Sequence, residues 1–300
     1  MQIELKDIVG SELSAGEARR LDIAVREATS GERAQLLRDV QSSLASELHG
    51  RVGRHRLQVW ADGWAENLTA FQESGKPDSL LPRYFGKYPE VRLGNSLYID
   101  NGRRAEVALL RQLQTSVVAH ARRHVKFSRL VEFGAGTGHN LLHLAADTAL
   151  ESLQGFEWSW SGIACMNAIG STLEPRISGR FFDYIAPELT NSADLKETCA
   201  VTVASLEQIG GDFRAFLAFL RKSAPAIVCN IEPIQELMGE HELGALSVEY
   251  SRRRNYLDGY LLYLRNLEKA GEIRILLEQE SRVGSKFING YGVVMWCWRR

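Results

Sequence analysis

Three glycines at alternate positions follow an apolar run in the segment RLVEFGAGTGHNLLHLA, residues 129–145. Gly134, Gly136 and Gly138 allow the chain to turn sharply and bring its bare backbone close to a ligand, which side chains at these positions would prevent. The dinucleotide fingerprint is GxGxxG, and its third glycine would fall on His139; the GK[ST] ending of a P-loop is missing as well. The glycines therefore indicate a ligand-binding turn, and its surroundings must show which ligand it binds.

Acidic residues stand at the ends of the apolar runs around this turn. Glu132 closes the run before the glycines, and Glu157 in LQGFEWS closes the next run, where its carboxylate can accept hydrogen bonds from both hydroxyls of a ribose. Asp183 in GRFFDYIAP follows a third run and is suited to accept a hydrogen bond from an adenine amino group. Glycines and acids together indicate a ligand that contains ribose and adenine.

Short apolar runs alternate with helical stretches after residue 125, which is typical of crossover units and a parallel sheet. We predict seven strands, near residues 128–133, 153–157, 179–183, 199–204, 226–231, 272–279 and 291–298. The connection ESRVGSKFING between the last two strands is too short for a crossover helix, so these strands should pair as an antiparallel hairpin. The predicted fold class is α/β, a Rossmann-like doubly wound sheet of seven strands with an antiparallel last strand.

The chain before this sheet has helical periodicity and few strand signals. We expect residues 1–124 to form a helical N-terminal cap and lid region, and residues 125–300 to form the ligand-binding domain. Thr29 and Glu32 have capping-box spacing, and Gly50 should end the helix that they begin. The apolar stripe of this helix is Leu37, Val40, Leu44 and Leu48; a second helix carries Trp60, Trp64, Leu68 and Phe71 and should end at Gly75 and Pro77.

Residues 80–102 interrupt the helical period with two prolines and several glycines, and we predict an irregular segment. Its Tyr84, Phe85 and Tyr88 either line a pocket or anchor the loop.

Composition restricts the classes of function. The 300-residue chain has a formal net charge of −1 and 45% hydrophobic residues, which fits a globular protein and gives no charge excess for nucleic acid. The four cysteines lack CxxC spacing and are expected to be buried thiols in a reducing cytosol: Cys165, Cys199, Cys229 and Cys297. No signal peptide is recognisable and no apolar stretch reaches the roughly 18 residues of a membrane helix. We expect a cytoplasmic protein with no membrane partner.

These motifs in this order resemble class I S-adenosylmethionine-dependent methyltransferases, over about residues 125–300. The resemblance implies S-adenosylmethionine as the cofactor, with the glycine loop against its methionine part and Glu132 reaching its amino group through water or backbone. It further implies Glu157 at the ribose and Asp183 at the adenine. The far side of the purine would meet Ser205 and Leu206.

A narrower resemblance covers nearly the whole chain. The segments GWAENLTAFQ, LPRYF, EFGAGTGHNLL, ASLEQIG, NIEP and RRRNYLDGYLLYL are similar to a bacterial set of sugar methyltransferases from surface-polysaccharide clusters. The fourth strand ends in ASLEQ, whereas the amino-methylating enzymes of DNA carry an Asn- or Asp-Pro-Pro-aromatic sequence there. A nucleobase amine is therefore not the expected acceptor.

Acidic residues crowd the segment after the fifth strand. Between Ile231 and Tyr250 there are five glutamates and no lysine or arginine: Glu232, Glu236, Glu240, Glu242 and Glu249. Glu207 projects from the neighbouring loop, and Glu232 and Glu236 would share one helical face. Inward-facing carboxylates repel each other unless a cation compensates them, which predicts an amine or guanidine acceptor such as that of an arginine-like metabolite. Alternatively, the acids lie on a solvated helix and face Arg252–Arg254.

Three other hypotheses for the function stay open. Oxygen methylation of a sugar or other hydroxylated metabolite would use Glu207 or His241 as general base, with Tyr84, Tyr250 and Tyr256 as pocket walls. A nicotinamide oxidoreductase is the remaining enzyme alternative, and a protein that binds the cofactor without catalysis is the alternative from another class. The pairs His139/His143 and His120/His124 lack the acid of HExxH, so no metal is predicted. The expected partner is a small-molecule substrate, and a homodimer through the N-terminal region stays open.

Overall fold

The computed structural model describes residues 1–14, 20–46, 50–187, 194–288 and 290–299. Its α-helices are α1 Leu5–Ser14, α2 Ser30–Ala45, α3 Leu57–Ser74, α4 Ala105–His124, α5 His139–Leu144, α6 Trp160–Thr172, α7 Arg214–Ser223, α8 Glu242–Arg254 and α9 Tyr260–Lys269. Its strands are β1 Gln2–Glu4, β2 Arg20–Asp22, β3 Arg26–Glu27, β4 Glu90–Leu93, β5 Ser96–Ile99, β6 Arg129–Phe133, β7 Ser152–Glu157, β8 Ile177–Phe181, β9 Thr198–Val203, β10 Ile227–Glu232, β11 Ile273–Gln279, β12 Val283–Gly284 and β13 Gly292–Trp298. Across these residues no helix combines the length and apolarity needed to span a membrane.

A seven-stranded sheet with the order β11-β13-β10-β9-β6-β7-β8 organises the second half of the chain. The strands from β8 to β10 are parallel, whereas β13 pairs antiparallel with both β10 and β11. The chain runs outward from β6 through β7 to β8 and then continues on the other side with β9 and β10. The strand order therefore reverses between β6 and β9, where ligands bind in such sheets. This topology confirms the predicted fold class and the antiparallel last strand.

The observed strands differ from the predicted ones in two details. The third strand ends at Phe181, so Asp183 lies in the loop beyond it. The two final strands pair antiparallel as predicted, but their connection also contains β12, which pairs with β4 of the N-terminal region.

Alternating side chains of the central strands fill two separate cores. Leu130 of β6 packs into the core that contains α1 and α4, while Val131 and Phe133 pack into the core that contains α7 and α9. Every residue of β9 and β10 is buried, which is expected for strands that are covered on both faces. The sheet is thus a rigid support for the loops at its carboxyl edge.

Helix α2 begins where the sequence predicts, and helix α3 ends where the sequence predicts. Thr29 and Glu32 form the capping box of α2, with both reciprocal hydrogen bonds present. The helix ends at Ala45 instead of at Gly50, and the predicted stripe residue Leu48 lies outside the described residues. Helix α3 ends as expected, with Gly75 in the left-handed conformation.

The prediction of an irregular segment over residues 80–102 is wrong for part of its length. Strands β4 and β5 form a hairpin with a two-residue turn at Gly94 and Asn95, and they join β3 and β12 in a four-stranded sheet of the order β12-β4-β5-β3. Strands of four residues are too short for a recognisable alternation, although a Gly-Asn pair is a signal for a hairpin turn.

Candidate active site

The glycine loop after β6 has the backbone conformation that requires glycine. Gly134, Gly136 and Gly138 have φ values of 67°, 54° and 80°. A β-carbon on Gly134 would stand 2.5 Å from Cβ of Ser205, and one on Gly138 would stand 2.5 Å from Cγ of Met166. The loop is therefore bare partly because other elements pack against it. Gly134 and Gly136 line a cavity at the switch point, and Gly138 is turned toward α6.

Glu157, the last residue of β7, holds this loop in place. Its Oε2 accepts a hydrogen bond of 2.8 Å from the Gly136 N–H, and its Oε1 accepts one of 3.0 Å from the Ser159 N–H. Burial raises the pKa of Glu157, and hydrogen bonds from the Ser159 and Gly136 backbone, the Ser159 side chain and the Trp158 backbone counteract that rise. The carboxylate also lines the cavity.

Glu132 lies behind the cavity wall and acts through Asn140. The Asn140 amide donates a 2.7 Å hydrogen bond to Oε1 of Glu132 and accepts one of 2.9 Å from Gln114. Asn140 lines the cavity, whereas Glu132 is almost fully buried and its Oε2 has no hydrogen-bond partner among the described residues. Burial raises the pKa of Glu132 to about 8. Asn140 was not predicted from the sequence; its signal is its position in the first turn of the helix that follows the glycine loop.

The cavity has a volume of about 280 Å³ and is lined by the glycine loop and by many aromatic side chains. Helix α3 and the segment after it contribute one group of aromatics, and the C-terminal part contributes another: Trp60, Trp64, Tyr84 and Tyr88, then Tyr250, Tyr256, Phe287 and Tyr291. The structure thus brings the three predicted tyrosines, Tyr84, Tyr250 and Tyr256, to one cavity. The ring of Tyr250 stacks on that of Phe287 at 5.2 Å, which fixes part of the wall.

Glu207 is the acid that the loop after β9 brings into the cavity. It is buried and accepts a hydrogen bond of 2.9 Å from the Gln208 side chain. Behind it, Glu232 accepts hydrogen bonds from the backbone N–H groups of Ser205 and Leu206 at 3.1–3.2 Å. Burial, then the charge of Glu207 and the hydrogen bond between both carboxyls raise the pKa of Glu232 well above its usual range.

Glu236 and His241 do not reach the cavity. The predicted helical face shared by Glu232 and Glu236 is wrong, because Glu232 is the last residue of β10 and a 3₁₀ turn at Gln235–Leu237 follows. Glu236 is exposed and accepts a hydrogen bond from the Leu262 N–H. His241 caps α8, where its Nδ1 accepts from the Gly244 N–H at 3.2 Å. Neither side chain is placed to act on a ligand in the cavity.

Of the three residues predicted to surround an adenine, one lines the cavity and two do not. Ser205 lines the cavity and donates a 2.9 Å hydrogen bond to the Phe133 carbonyl. Leu206 is buried away from the cavity. Asp183 accepts hydrogen bonds from Arg54 and from the Ile185 N–H, and it does not line the cavity. In this arrangement, the ion pair with the N-terminal region occupies one oxygen of Asp183.

Glu106, Arg56 and Arg254 line the cavity and were not predicted from the sequence. Glu106 lies in the first turn of α4, and burial raises its pKa to about 7. Local sequence gives no signal for these residues, because α3, α4 and α8 meet at the cavity only through the tertiary fold.

The histidine pairs are engaged with neighbouring groups. The Nε2 atoms of His120 and His124 lie 3.2 Å apart, and His143 Nε2 contacts Thr115 Oγ1 at 3.0 Å. The described ranges contain no group of three or more His, Cys, Asp or Glu side chains that could hold a metal ion.

The strand order, the glycine loop at the switch point and the acid at the end of β7 together define the fold of class I S-adenosylmethionine-dependent methyltransferases. No protein-family model matches the chain, and no curated protein sequence matches it.

Solved structures share the fold at low sequence identity. The [4+2]-cyclase SpnF is 16% identical, with a TM-score of 0.51 over 83% of this chain and 97% of that chain. The plantazolicin methyltransferase BpumL in complex with SAH is 11% identical over 87% and 99%, with a TM-score of 0.44. A SAM-dependent methyltransferase from Aquifex aeolicus is 13% identical over 61% and 88%, with a TM-score of 0.42. At these identities, the likeness concerns the fold alone.

Proposed function

We propose that this protein is an S-adenosylmethionine-dependent methyltransferase of a small metabolite. The observation that carries the proposal is one cavity that is lined by the glycine loop and Glu157 and also by Glu207 and the tyrosines. The glycine loop and Glu157 fit the cofactor, because a bare backbone and a carboxylate stand together at the switch point. Glu207 and the tyrosines fit an acceptor. Residues 1–124 contribute Trp60, Trp64 and Tyr84 to the lining.

The cofactor supplies a methyl group on a positively charged sulfur. In the proposed site the loop from Gly134 to Gly136 contacts its methionine part, and Asn140, oriented by Glu132, lies near the amino group. Glu157 accepts hydrogen bonds from the ribose hydroxyls, and Ser205 contacts the purine. Asp183 reaches the adenine amino group only with the oxygen that Arg54 does not occupy or after that ion pair opens.

For the acceptor we favour a guanidine or amine of an amino-acid-like metabolite. Two buried carboxyls in contact cannot both be ionised at low cost, so either a proton or a cation must compensate them. In the free protein, burial and the charge of Glu207 favour the protonated form of Glu232. A guanidinium or ammonium beside Glu207 would replace this proton. The Glu207 carboxylate then accepts the acceptor's proton and leaves nitrogen with a lone pair for the methyl group.

Oxygen methylation is the second candidate, and Glu106 favours it. A hydroxyl acceptor needs a general base, and a carboxyl in the cavity with a pKa raised to about 7 is close to the optimum for a base at neutral pH. Under this reading Glu106→Gln would abolish the rise of turnover through pH 7 and spare cofactor binding. If the acceptor is a nitrogen, turnover of the same variant should depend on pH as turnover of the wild type does.

Calorimetric titration with S-adenosylhomocysteine and, separately, with NADH tests the cofactor. We expect saturable binding of the first only; the reverse result would identify a nicotinamide oxidoreductase. The release of S-adenosylhomocysteine from S-adenosylmethionine is then measured with a panel of amino acids, guanidines, amines and sugars. Turnover with an amine or guanidine supports nitrogen methylation, and turnover with sugars alone supports oxygen methylation. Binding without turnover across the panel would contradict an enzymatic role.

We also propose a cytoplasmic location. Cys199 and Cys229 keep separate thiols although their sulfur atoms lie only 3.9 Å apart. Unpaired thiols at that distance are typical of a reducing compartment.

A further inference from the structure

Two arginines that line the cavity have no carboxylate partner. Across residues 1–14, 20–46, 50–187, 194–288 and 290–299, neither Arg56 nor Arg254 forms an ion pair within 4 Å. Buried charges are usually paired, because burial without a counter-ion is costly. Arg254 is buried and Arg56 is half-buried, and the charge of Glu207, which lines the same cavity, acts on Arg254 without contacting it. Two guanidinium groups at one cavity without a contacting carboxylate therefore require an explanation.

Arg254 is held firmly, with part of its guanidinium left for a ligand. The side chain is only 8% exposed, and the guanidinium lies 5.4 Å from the centre of the Tyr256 ring. Its Nε contacts the Tyr256 hydroxyl at 3.4 Å and its Nη1 donates to the Gly50 carbonyl. The remaining group, Nη2, has no hydrogen bond to a described residue, so its N–H donors are available at the cavity.

Arg56 is brought to the same place by the segment that Arg254 anchors. The Val52 N–H donates to the Arg254 carbonyl at 2.9 Å, and Arg56 follows four residues later. The guanidinium of Arg56 lies 5.3 Å from the centre of the Trp60 ring and makes no hydrogen bond to a described residue; its Nε is buried. Burial, and to a smaller extent the charge of Arg254, lowers the pKa of Arg56, as expected for two cations near one another.

We propose that Arg56 and Arg254 form a subsite for an oxyanion, which binds a carboxylate, sulfate or phosphate group of the acceptor. An oxyanion between two guanidinium groups removes their mutual repulsion and accepts their unused N–H donors in the fork geometry that arginine favours. This inference rests on the proposed function. The acceptor is then bipolar, with its anionic group at the arginines and its reacting group at Glu207. The aromatic rings under both guanidiniums keep them fixed for this role.

Simple anions test the subsite without knowledge of the acceptor. Purified full-length protein is titrated with sodium sulfate, inorganic phosphate and sodium acetate against sodium chloride at constant ionic strength, by calorimetry and by thermal unfolding. We expect one saturable site for at least one oxyanion, which chloride does not fill. Tighter binding of acetate identifies a carboxylate as the natural group, whereas tighter binding of sulfate or phosphate identifies an ester; both support the subsite.

Substitutions locate the binding. Arg56→Gln and Arg254→Gln should each raise the dissociation constant of the anion at least about tenfold, which corresponds to about 1.4 kcal/mol. Arg254→Lys keeps a positive charge and should bind better than Arg254→Gln. Arg252→Gln, an exposed position on the same helix, controls for the loss of one charge and should bind as the wild type does. Because Arg56 makes no hydrogen bond or ion pair with a described residue, Arg56→Gln should fold. It is therefore informative even where Arg254→Gln does not fold.

Two results would overturn the subsite: no oxyanion binds more tightly than chloride, or Arg252→Gln loses as much affinity as Arg56→Gln. Titration of the same samples with S-adenosylhomocysteine separates this inference from the proposed function. Oxyanion binding without S-adenosylhomocysteine binding would reject the methyltransferase and keep the subsite. S-adenosylhomocysteine binding without oxyanion binding would reject the subsite alone.

Discussion

The carboxyl group of Glu232 contacts that of Glu207, and of the two only Glu207 also lines the cavity. Glu232 is fixed from behind by the backbone N–H groups of the loop that carries Glu207. Glu232 thus positions the loop, while Glu207 presents a carboxylate to a ligand. The arrangement assigns different consequences to the loss of each carboxylate.

Glu207→Gln should reduce turnover with an amine or guanidine acceptor about 10- to 100-fold, because one charged hydrogen bond of about 1.5–3 kcal/mol is lost. The affinity for S-adenosylhomocysteine should stay as in the wild type, since no contact with the cofactor is proposed for Glu207. Initial rates and calorimetry measure the two quantities. Glu236→Gln is the matched control: it is exposed outside the cavity and should retain full activity. Full activity of Glu207→Gln would reject the nitrogen hypothesis.

Glu232→Gln should behave as a permanently protonated Glu232. The amide oxygen can still accept from the Ser205 and Leu206 N–H groups, and the amide N–H₂ can donate to Glu207. We therefore expect a folded protein with weaker binding of a cationic acceptor, measured as a rise in KM with unchanged affinity for S-adenosylhomocysteine. An unchanged KM would show that the second carboxylate does not contribute to acceptor binding.

Glu157→Ala should weaken S-adenosylhomocysteine binding by about 1–3 kcal/mol in a calorimetric titration, the cost of leaving buried donors unpaired. The Gly136 and Ser159 N–H groups lose their acceptor, and the proposed ribose contacts are lost as well. Glu151→Ala removes an exposed acid next to the other end of the same strand and should leave the affinity unchanged. Equal affinities in the wild type and Glu157→Ala would contradict the cofactor assignment.

Gly136→Ala should lower the free energy of unfolding by about 1–2 kcal/mol, because a β-carbon is disfavoured at positive φ and this one would stand 3.1 Å from the Trp64 ring. Gly63→Ala provides the contrast, since its β-carbon would meet open space on helix α3 and alanine favours a helix by about 0.5–1 kcal/mol. Urea unfolding measures both. Shifts of the same sign would show that the glycine loop is not conformationally constrained.

The sequence predicts the parts of this molecule that local patterns determine. The buried strands β9 and β10 are short, mostly apolar runs, and Gly134 and Glu157 are recognisable because each stands at the end of a similar run. The capping box of Thr29 and Glu32 is equally local. These features need no knowledge of what packs against them.

The remaining features depend on contacts between segments that are distant in the chain. The partner of Asp183 is Arg54, from the opposite half of the sequence, and Arg254 lines the cavity because α8 packs close to the segment after Gly50. Glu236 fails as a site residue because the chain turns after β10 instead of continuing as a helix. Whether a charged side chain faces a cavity or solvent is decided by such packing, which residue type and spacing do not determine.

Glu132 gives the protein a pH-dependent stability that a single substitution should remove. Its pKa rises from 4.5 to about 8 on folding, chiefly through burial, so the native state binds more protons than the unfolded chain between these values. Stability must then fall as pH rises from 5 to 8, by an amount on the order of 3 kcal/mol for this residue. Glu132→Gln keeps the acceptor for Asn140 but does not titrate. Its free energy of unfolding should therefore rise relative to that of the wild type as the pH rises from 5 to 8.

Urea unfolding at a series of pH values measures the difference. Glu73→Gln, which removes an exposed carboxyl on α3, is the control for one lost charge. If the wild-type and Glu132→Gln curves ran parallel from pH 5 to 8, Glu132 would be ionised in the folded protein and could not act as the neutral, buried support of Asn140 inferred above.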